Sequence, residues 1–279
     1  MFKPGEPLQL MNRTDIAYLI NSTPKYYYLL PLHLLLVRRY APELAWPIYI
    51  ATEEPDHPIL QECVDTYNVK ILPLKQEDRF FLESRLAATL ALPPEIKYVF
   101  PIQEDFLLER KPDGEAIKEG FMLMASMDEV ASIRFMPCPG PVTTQQVGWA
   151  SLKGSEYMFS FQATLWRRGA YLLFMSAVLD MEVGFAHLCP PNLSDDKRKK
   201  WLQIDFNIAE NQHGQRKFEE VLGHKTHLGW IRQGKQANAV YLSPWPYRPT
   251  AVEKGVLGQW AKELASREGF SLLNSSNKC

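Results

Sequence analysis

The sequence predicts an α/β protein built on a mostly parallel sheet with helices on both faces. Three observations predict it. Short apolar, β-prone runs alternate with longer helical patterns through the first half of the chain, the signature of βαβ units. The runs read as buried strands, as a sheet covered on both faces requires. Polar and acidic residues recur where those runs stop: Asn21, Thr52, Glu53, Glu104 and Asp105. Parallel sheets bind ligands outside such carboxyl ends.

The elements follow in order. Ile16 to Ile20 is the first strand, and Asn21-Ser22-Thr23-Pro24 is a loop and helix-cap signature. A helix pattern runs from about 25 to 40. Residues 47–51 form the second strand, ending at Thr52-Glu53-Glu54-Pro55. A helix over 59–67 leads to a third strand, 69–74. Asp78 caps a helix from 79 to about 92, stopped by Pro93-Pro94. The next strand opens at Tyr98, residues 113–127 are helical, and 130–136 are a strand.

The second half is less regular. Residues 137–141 are a rigid proline-rich loop, and 157–165 alternate as a strand. Trp166-Arg167-Arg168 begins a helix, 192–200 is an exposed loop, and 201–222 has helical character. Residues 243–249 are extended, and 259–267 form a short final helix. There is no internal repeat.

Composition bounds the function. The 279 residues, 46% hydrophobic, suffice for one large α/β domain or two small ones. With 31 basic and 32 acidic residues the net charge is -1, which carries no nucleic-acid footprint. The longest apolar stretch, 26–37, is broken by Pro31 and His33 and is too short to span a bilayer. The first residues lack a signal-peptide apolar core. Cys63, Cys138, Cys189 and Cys279 form no CxxC pair, so reduced thiols and a cytoplasmic location are expected. No GxGxxG, GxxxxGK[ST] or GxSxG occurs, which leaves dinucleotide oxidoreductase, P-loop and hydrolase readings without support. His187, His213, His224 and His227 form no HExxH, and the His224/His227 pair reads as structural or surface.

The segment from Tyr98 to Leu108 carries the chemistry. Glu104 and Asp105 end an apolar strand, and more apolar residues follow. Burying two carboxylates is expensive without a cationic partner. A divalent metal held against a phosphate is one such partner; an acidic turn closing the strand is the plainer alternative. Arg85 shares a helical stripe with Phe81 and Thr89. It either looks inward at an anion such as a diphosphate or lays its stem on the core and snorkels. Asp205 and Glu210 sit among apolar residues, where burial would lift a carboxyl pKa into the range of a general base; solvated helix acids are the alternative. Of Trp166, Trp201, Trp230, Trp245 and Trp260, one or two are expected to touch a ligand and the rest to pack in the core.

In this order the segments resemble a family of bacterial and giant-virus glycosyltransferases with the GT-A fold. The likeness rests on four stretches: Tyr18-Leu19-Ile20-Asn21-Ser22-Thr23 with Ile48 to Glu53; Ser84-Arg85-Leu86 with Tyr98 to Phe106; Ile133-Arg134-Phe135 with Phe159 to Arg168; and Ala251 to Gly255 before Gln259-Trp260. It covers about residues 14–265. The resemblance implies a single GT-A-like domain over 1–279, with a nucleotide-sugar half at about 14–136 and an acceptor half at about 137–265. It implies transfer of a sugar from a nucleotide donor, UDP-linked above all, to a glycan acceptor, inverting and assisted by Mn²⁺ or Mg²⁺. Asn21, Ser22, Thr52, Glu53, Arg85, Gln103 and Glu104 would bind donor, with Asp105 and Glu104 at the metal. Gln162 and Trp166 would face the acceptor. The family's Trp-x-Phe-Glu-like segment is replaced here by Phe206-Asn207-Ile208-Ala209-Glu210, which leaves the base open between Glu210 and Asp205. Gln103 stands where a first acid is often found. The alternatives are a nucleotidyltransferase, although Lys25 alone represents that class's basic loop, and a non-catalytic glycan-binding relative.

Overall fold

The computed structural model describes residues 10–75, 81–136, 148–152, 161–188, 214–223, 225–231, 243–248, 250–253 and 255–272, with the isolated positions 192, 194 and 197. Strands β1 (Ile16–Asn21), β2 (Ile48–Thr52), β3 (Lys70–Pro73), β4 (Tyr98–Gln103), β5 (Val130–Arg134), β6 (Gly148–Ser151), β7 (Thr164–Arg167) and β8 (Thr226–Ile231) form one sheet. Their order is β3-β2-β1-β4-β7-β5-β8-β6. β1 pairs in parallel with β2 and β4, β2 with β3, and β5 with β8. Only β7, between β4 and β5, and β6, outside β8, run against the rest. The sheet is thus mostly parallel and Rossmann-like.

Period-two alternation divides each central strand between two cores. Ile16, Tyr18 and Ile20 of β1 join Phe100 and Ile102 of β4 in one cluster. It is covered by α1 (Leu30–Tyr40), α2 (Pro58–Tyr67), α4 (Gly114–Ser126) and α7 (Gln259–Arg267). Ala17, Leu19, Val99 and Ala131 face the other way. There they meet α3 (Phe81–Ala91), α5 (Arg168–Leu188) and α6 (Gly214–Leu222). The helix boundaries have local causes. Pro58 opens α2 behind a His57 cap that accepts the Ile59 amide, and Asn68 ends it in the left-handed region at φ 55°. The Asp113 carboxylate accepts the Ala116 amide at 3.0 Å and starts α4.

Four elements differ from expectation. The helix over 25–40 is a 3-10 turn at Pro24–Leu29 followed by α1, because Pro31 fits only the first α-helical turn. Trp166 and Arg167 belong to a strand, not a helix start. Trp166 pairs with Val99 on one side and Ser132 on the other, so β7 fills the gap between β4 and β5. β6 and β8 were not expected as strands. They are short and glycine-bearing, and Gly229 is needed because an added Cβ would lie 2.7 Å from the Leu152 side chain. The expected Asp78 cap, the strand residues 157–160 and the helix residues 201–213 lie outside the described residues. Among the described residues no helix is long and apolar enough to cross a membrane.

Candidate functional site

The chain lays β2 and β3 on one side of β1, then returns to place β4 on the other. Strand order reverses there, and open α/β sheets bind ligands in the crevice at such a reversal. Asn21 and Gln103 end β1 and β4 as register partners. Both line a narrow cleft with Arg85 from α3, Phe161 and Gln162 from the segment before β7, Trp166 from β7 and Tyr171 from α5. Five residues singled out in the sequence, Asn21, Arg85, Gln103, Gln162 and Trp166, therefore meet in one place. The enclosed part of the cleft measures about 10 Å³, room for about one water, so a larger ligand must rest at its mouth. A larger cavity of about 430 Å³, lined by Arg38, Trp46 and Lys70, opens at the other end of the sheet, where strands begin. It is far from this chemistry.

Arg85 points inward. It is 7% exposed, and its guanidinium carbon lies 5.4 Å from the Phe161 ring centre. Thr89, one turn on, donates to the Arg85 carbonyl at 2.7 Å. Asn21 donates to the carbonyl of neighbouring Ser84 at 3.3 Å, tying β1 to α3. The buried Tyr171 hydroxyl has no hydrogen-bond partner among the described residues, and burial pushes its pKa up to about 12. Trp166 is mainly a core residue, stacked between Phe174 and His227 at 5.7 and 5.5 Å.

The two acids follow β4 directly. Glu104 is 7% exposed, and burial lifts its pKa to about 8. Its own backbone amide pulls the other way, neighbouring Asp105 reinforces the rise, and Arg85 and Ser22 oppose it. Burial also raises Asp105, against the amides of Val252, Asp105 itself and Ala251. The Val252 amide donates to Asp105 Oδ2 at 3.5 Å, while Oδ1 is buried without a partner. Ser22 Oγ lies near enough to favour the Glu104 carboxylate but makes no bond of hydrogen-bonding geometry. Glu53, just beyond β2, keeps Oε2 buried and unpartnered. Thr52 is not offered to the cleft: its hydroxyl bonds Tyr27 and accepts the Glu54 amide at 3.4 Å. Asp205 and Glu210 lie outside the described residues.

Two supports around the acids were not singled out as site residues in the sequence. His33 Nδ1 donates to the Glu104 carbonyl at 3.1 Å, so Nε2 is bare and accepts from the Tyr18 hydroxyl at 2.7 Å. Burial holds this histidine down at about 4, neutral near pH 7. The one polar residue within an apolar helical run was its only signal. The second support is a C-terminal strap, described at 243–248 and 250–253. The Glu109 and Asp113 amides donate to the Pro246 and Pro244 carbonyls, both at 2.9 Å, and the Ala251 amide donates to the Asp105 carbonyl at 3.2 Å. Arg248 pairs with Glu109 at 2.6 Å.

No family model and no curated protein matches the sequence. Solved structures overlay on the fold at low identity. S. aureus TarS 1-349 in complex with UDP-GlcNAc gives a TM-score of 0.43 at 13% identity, over 79% of this chain and 60% of that one. The apo form of the glycosyltransferase GlyE of Streptococcus pneumoniae gives 0.41 at 11%, over 93% and 61%. The 4-diphosphocytidyl-2C-methyl-D-erythritol synthase of Anaerococcus prevotii gives 0.41 at 10%, over 80% and 90%. The chain thus spans about three fifths of the TarS and GlyE chains it overlays. All three scores lie below 0.5, and the functional reading below rests on this chain's own residues.

Among the described residues no three His, Cys, Asp or Glu side chains gather as a metal cluster. The adjacent carboxylates still fit a hard divalent ion. Mg²⁺ is commonly held by one or two carboxylates, with substrate phosphates and water completing its shell, and Asp105 Oδ1 is an oxygen without a partner.

Proposed function

We propose that this protein is a nucleotide-sugar-dependent glycosyltransferase of GT-A type, inverting and metal-assisted, acting on a glycan acceptor in the cytoplasm. One observation carries the reading. Among the described residues, Ser22 Oγ, Glu53 Oε2 and Asp105 Oδ1 are buried without hydrogen-bond partners, just beyond the carboxyl ends of the adjacent strands β1, β2 and β4. Buried polar atoms are nearly always satisfied. Three orphans on one edge, at the point where strand order reverses, support a polar ligand as the missing partner.

In this reading Arg85 supplies fixed positive charge for the donor's diphosphate from the wall of the cleft. Glu104 and Asp105 would hold the cation. When bound, a divalent ion would neutralise charge developing on the leaving nucleotide. Glu210, or Asp205 in its place, takes the proton of the acceptor hydroxyl on the face opposite the leaving group. Trp166 and Gln162 bound the side where the sugar transfers.

A screen of nucleotide sugars by thermal shift, with and without Mn²⁺, tests donor binding, since a ligand of the folded state raises its melting temperature. Product analysis separates the classes: free nucleoside diphosphate marks sugar transfer, and pyrophosphate marks a nucleotidyltransferase. Binding without turnover on any acceptor would favour the glycan-binding relative. Glu210→Gln should lower turnover about 10²–10⁴-fold at near-normal donor affinity, with Asp205→Asn as the parallel variant.

A further inference from the structure

Among the described residues the Gln162 side-chain amide is bonded by one group, the Tyr247 hydroxyl, and that bond sets the amide's polarity. The Tyr247 phenol is fully buried and stacks on Phe106 with ring centres 4.7 Å apart. Its oxygen accepts the Ala163 backbone amide at 2.8 Å, a bond that can run in one direction only. Its single proton goes to Gln162 Oε1 at 2.6 Å. The carbonyl end of the Gln162 amide is therefore spent on Tyr247, and the NH₂ end remains for the cleft that Gln162 lines.

We propose that Tyr247 is a positioning residue that makes Gln162 an obligate hydrogen-bond donor, and that the ligand group it meets is an acceptor-only oxygen, a phosphoryl oxygen of the nucleotide. The proposal rests on the nucleotide-sugar reading of the cleft. It revises the expectation that Gln162 serves the acceptor sugar, whose hydroxyls would bind either end of an amide. The surroundings have matching polarity. Arg85, which offers five N–H donors, reaches the same wall through Phe161, the residue before Gln162. Tyr171 adds a hydroxyl without a hydrogen-bond partner among the described residues. The strap carrying Tyr247 also holds the carboxylate of Asp105 through Val252, so one segment sets both the donor and the carboxylate sides of the site.

The test is the affinity of the full chain for UDP with MgCl₂, measured by calorimetry for wild type, Gln162→Leu, Gln162→Glu, Tyr247→Phe and the Tyr247→Phe/Gln162→Leu double variant. Losing a donor to a charged oxygen should weaken UDP about 10-fold or more in Gln162→Leu. Gln162→Glu, which still accepts from Tyr247 but cannot donate to the cleft, should weaken it at least as much. Tyr247→Phe should weaken it by a smaller factor, and should cost nothing further in the Gln162→Leu background, because it acts through Gln162. Wild-type affinity in Gln162→Glu, or a full additional loss in the double variant, would overturn the proposal, as would a wild type that ignores UDP. If Tyr247→Phe does not fold, the two Gln162 variants decide alone. Sugar transfer is scored separately: Gln162-dependent UDP binding without transfer leaves this inference standing and removes the glycosyltransferase reading.

Discussion

Glu104→Gln should make the protein markedly more stable than wild type at alkaline pH, and nearly equal to it in acid. The folded-state pKa of about 8 stands above the ordinary 4.5 chiefly because the carboxyl is buried. The native state therefore holds the proton more tightly than the unfolded chain. The stabilisation is fully present below about 4.5 and is lost as pH rises through about 8. At about 1.4 kcal/mol per pH unit, the gap amounts to roughly 5 kcal/mol as an upper figure. Glutamine keeps the size and a hydrogen-bonding end but carries no charge to desolvate. Urea denaturation at about pH 5 and about pH 9, with EDTA present, should show the variant's advantage growing by several kcal/mol across that interval. An advantage equal at both pH values would refute the reasoning, because it would mean that Glu104 ionises in the folded protein as easily as in water.

Arg85→Met keeps the stem packed and removes the charge; donor affinity should fall about 10-fold or more with little change in melting temperature, and undiminished binding in calorimetry would take Arg85 out of the site. Gly120→Ala would place a Cβ 2.6 Å from the Trp149 ring, and should destabilise by about 1–3 kcal/mol in denaturant melts, outweighing a helix-propensity gain of about 1 kcal/mol. Cys63 is buried with its thiol pushed up to about 12, so maleimide should leave it unlabelled in native protein and modify it after unfolding, as read by peptide mass spectrometry.

The parallel half of the fold was legible because its strands are buried on both faces and announce themselves as uninterrupted apolar runs: Ile16 to Ile20, Ile48 to Ala51 and Tyr98 to Ile102. The final helix, 259–267, was legible for a different reason, a clean amphipathic pattern behind Gly258. β7 was misread because Trp166-Arg167 looks like a helix entry until two neighbouring strands are there to pair with it. β8 hid its character behind Thr226, His227 and Gly229, polar or small residues whose burial is set by contacts distant in sequence. For the site, polarity at strand ends pointed to Asn21, the resemblance to Gln103, and a helical stripe to Arg85. Tyr171 and Tyr247 were invisible, since a buried tyrosine in an apolar helix or a proline-rich strap reads as core. The two hydrogen bonds of Tyr247 and the unsatisfied hydroxyl of Tyr171 separate them from it.

The placement of β7 has a consequence for how the chain is made. β4 is complete at Gln103 and β5 at Arg134, yet the strand that joins them spans Thr164–Arg167. Until that stretch leaves the ribosome, two finished strands present facing rows of backbone donors and acceptors with nothing between them. Open edges of this kind recruit other chains, and a sheet that waits for a late strand folds slowly and through exposed intermediates. A fragment ending near residue 136, although it contains the five strands β1 to β5 and their helices, should therefore aggregate on expression. A fragment carried past residue 167 closes the gap, and the two lengths compared side by side would show where in translation the protein becomes soluble.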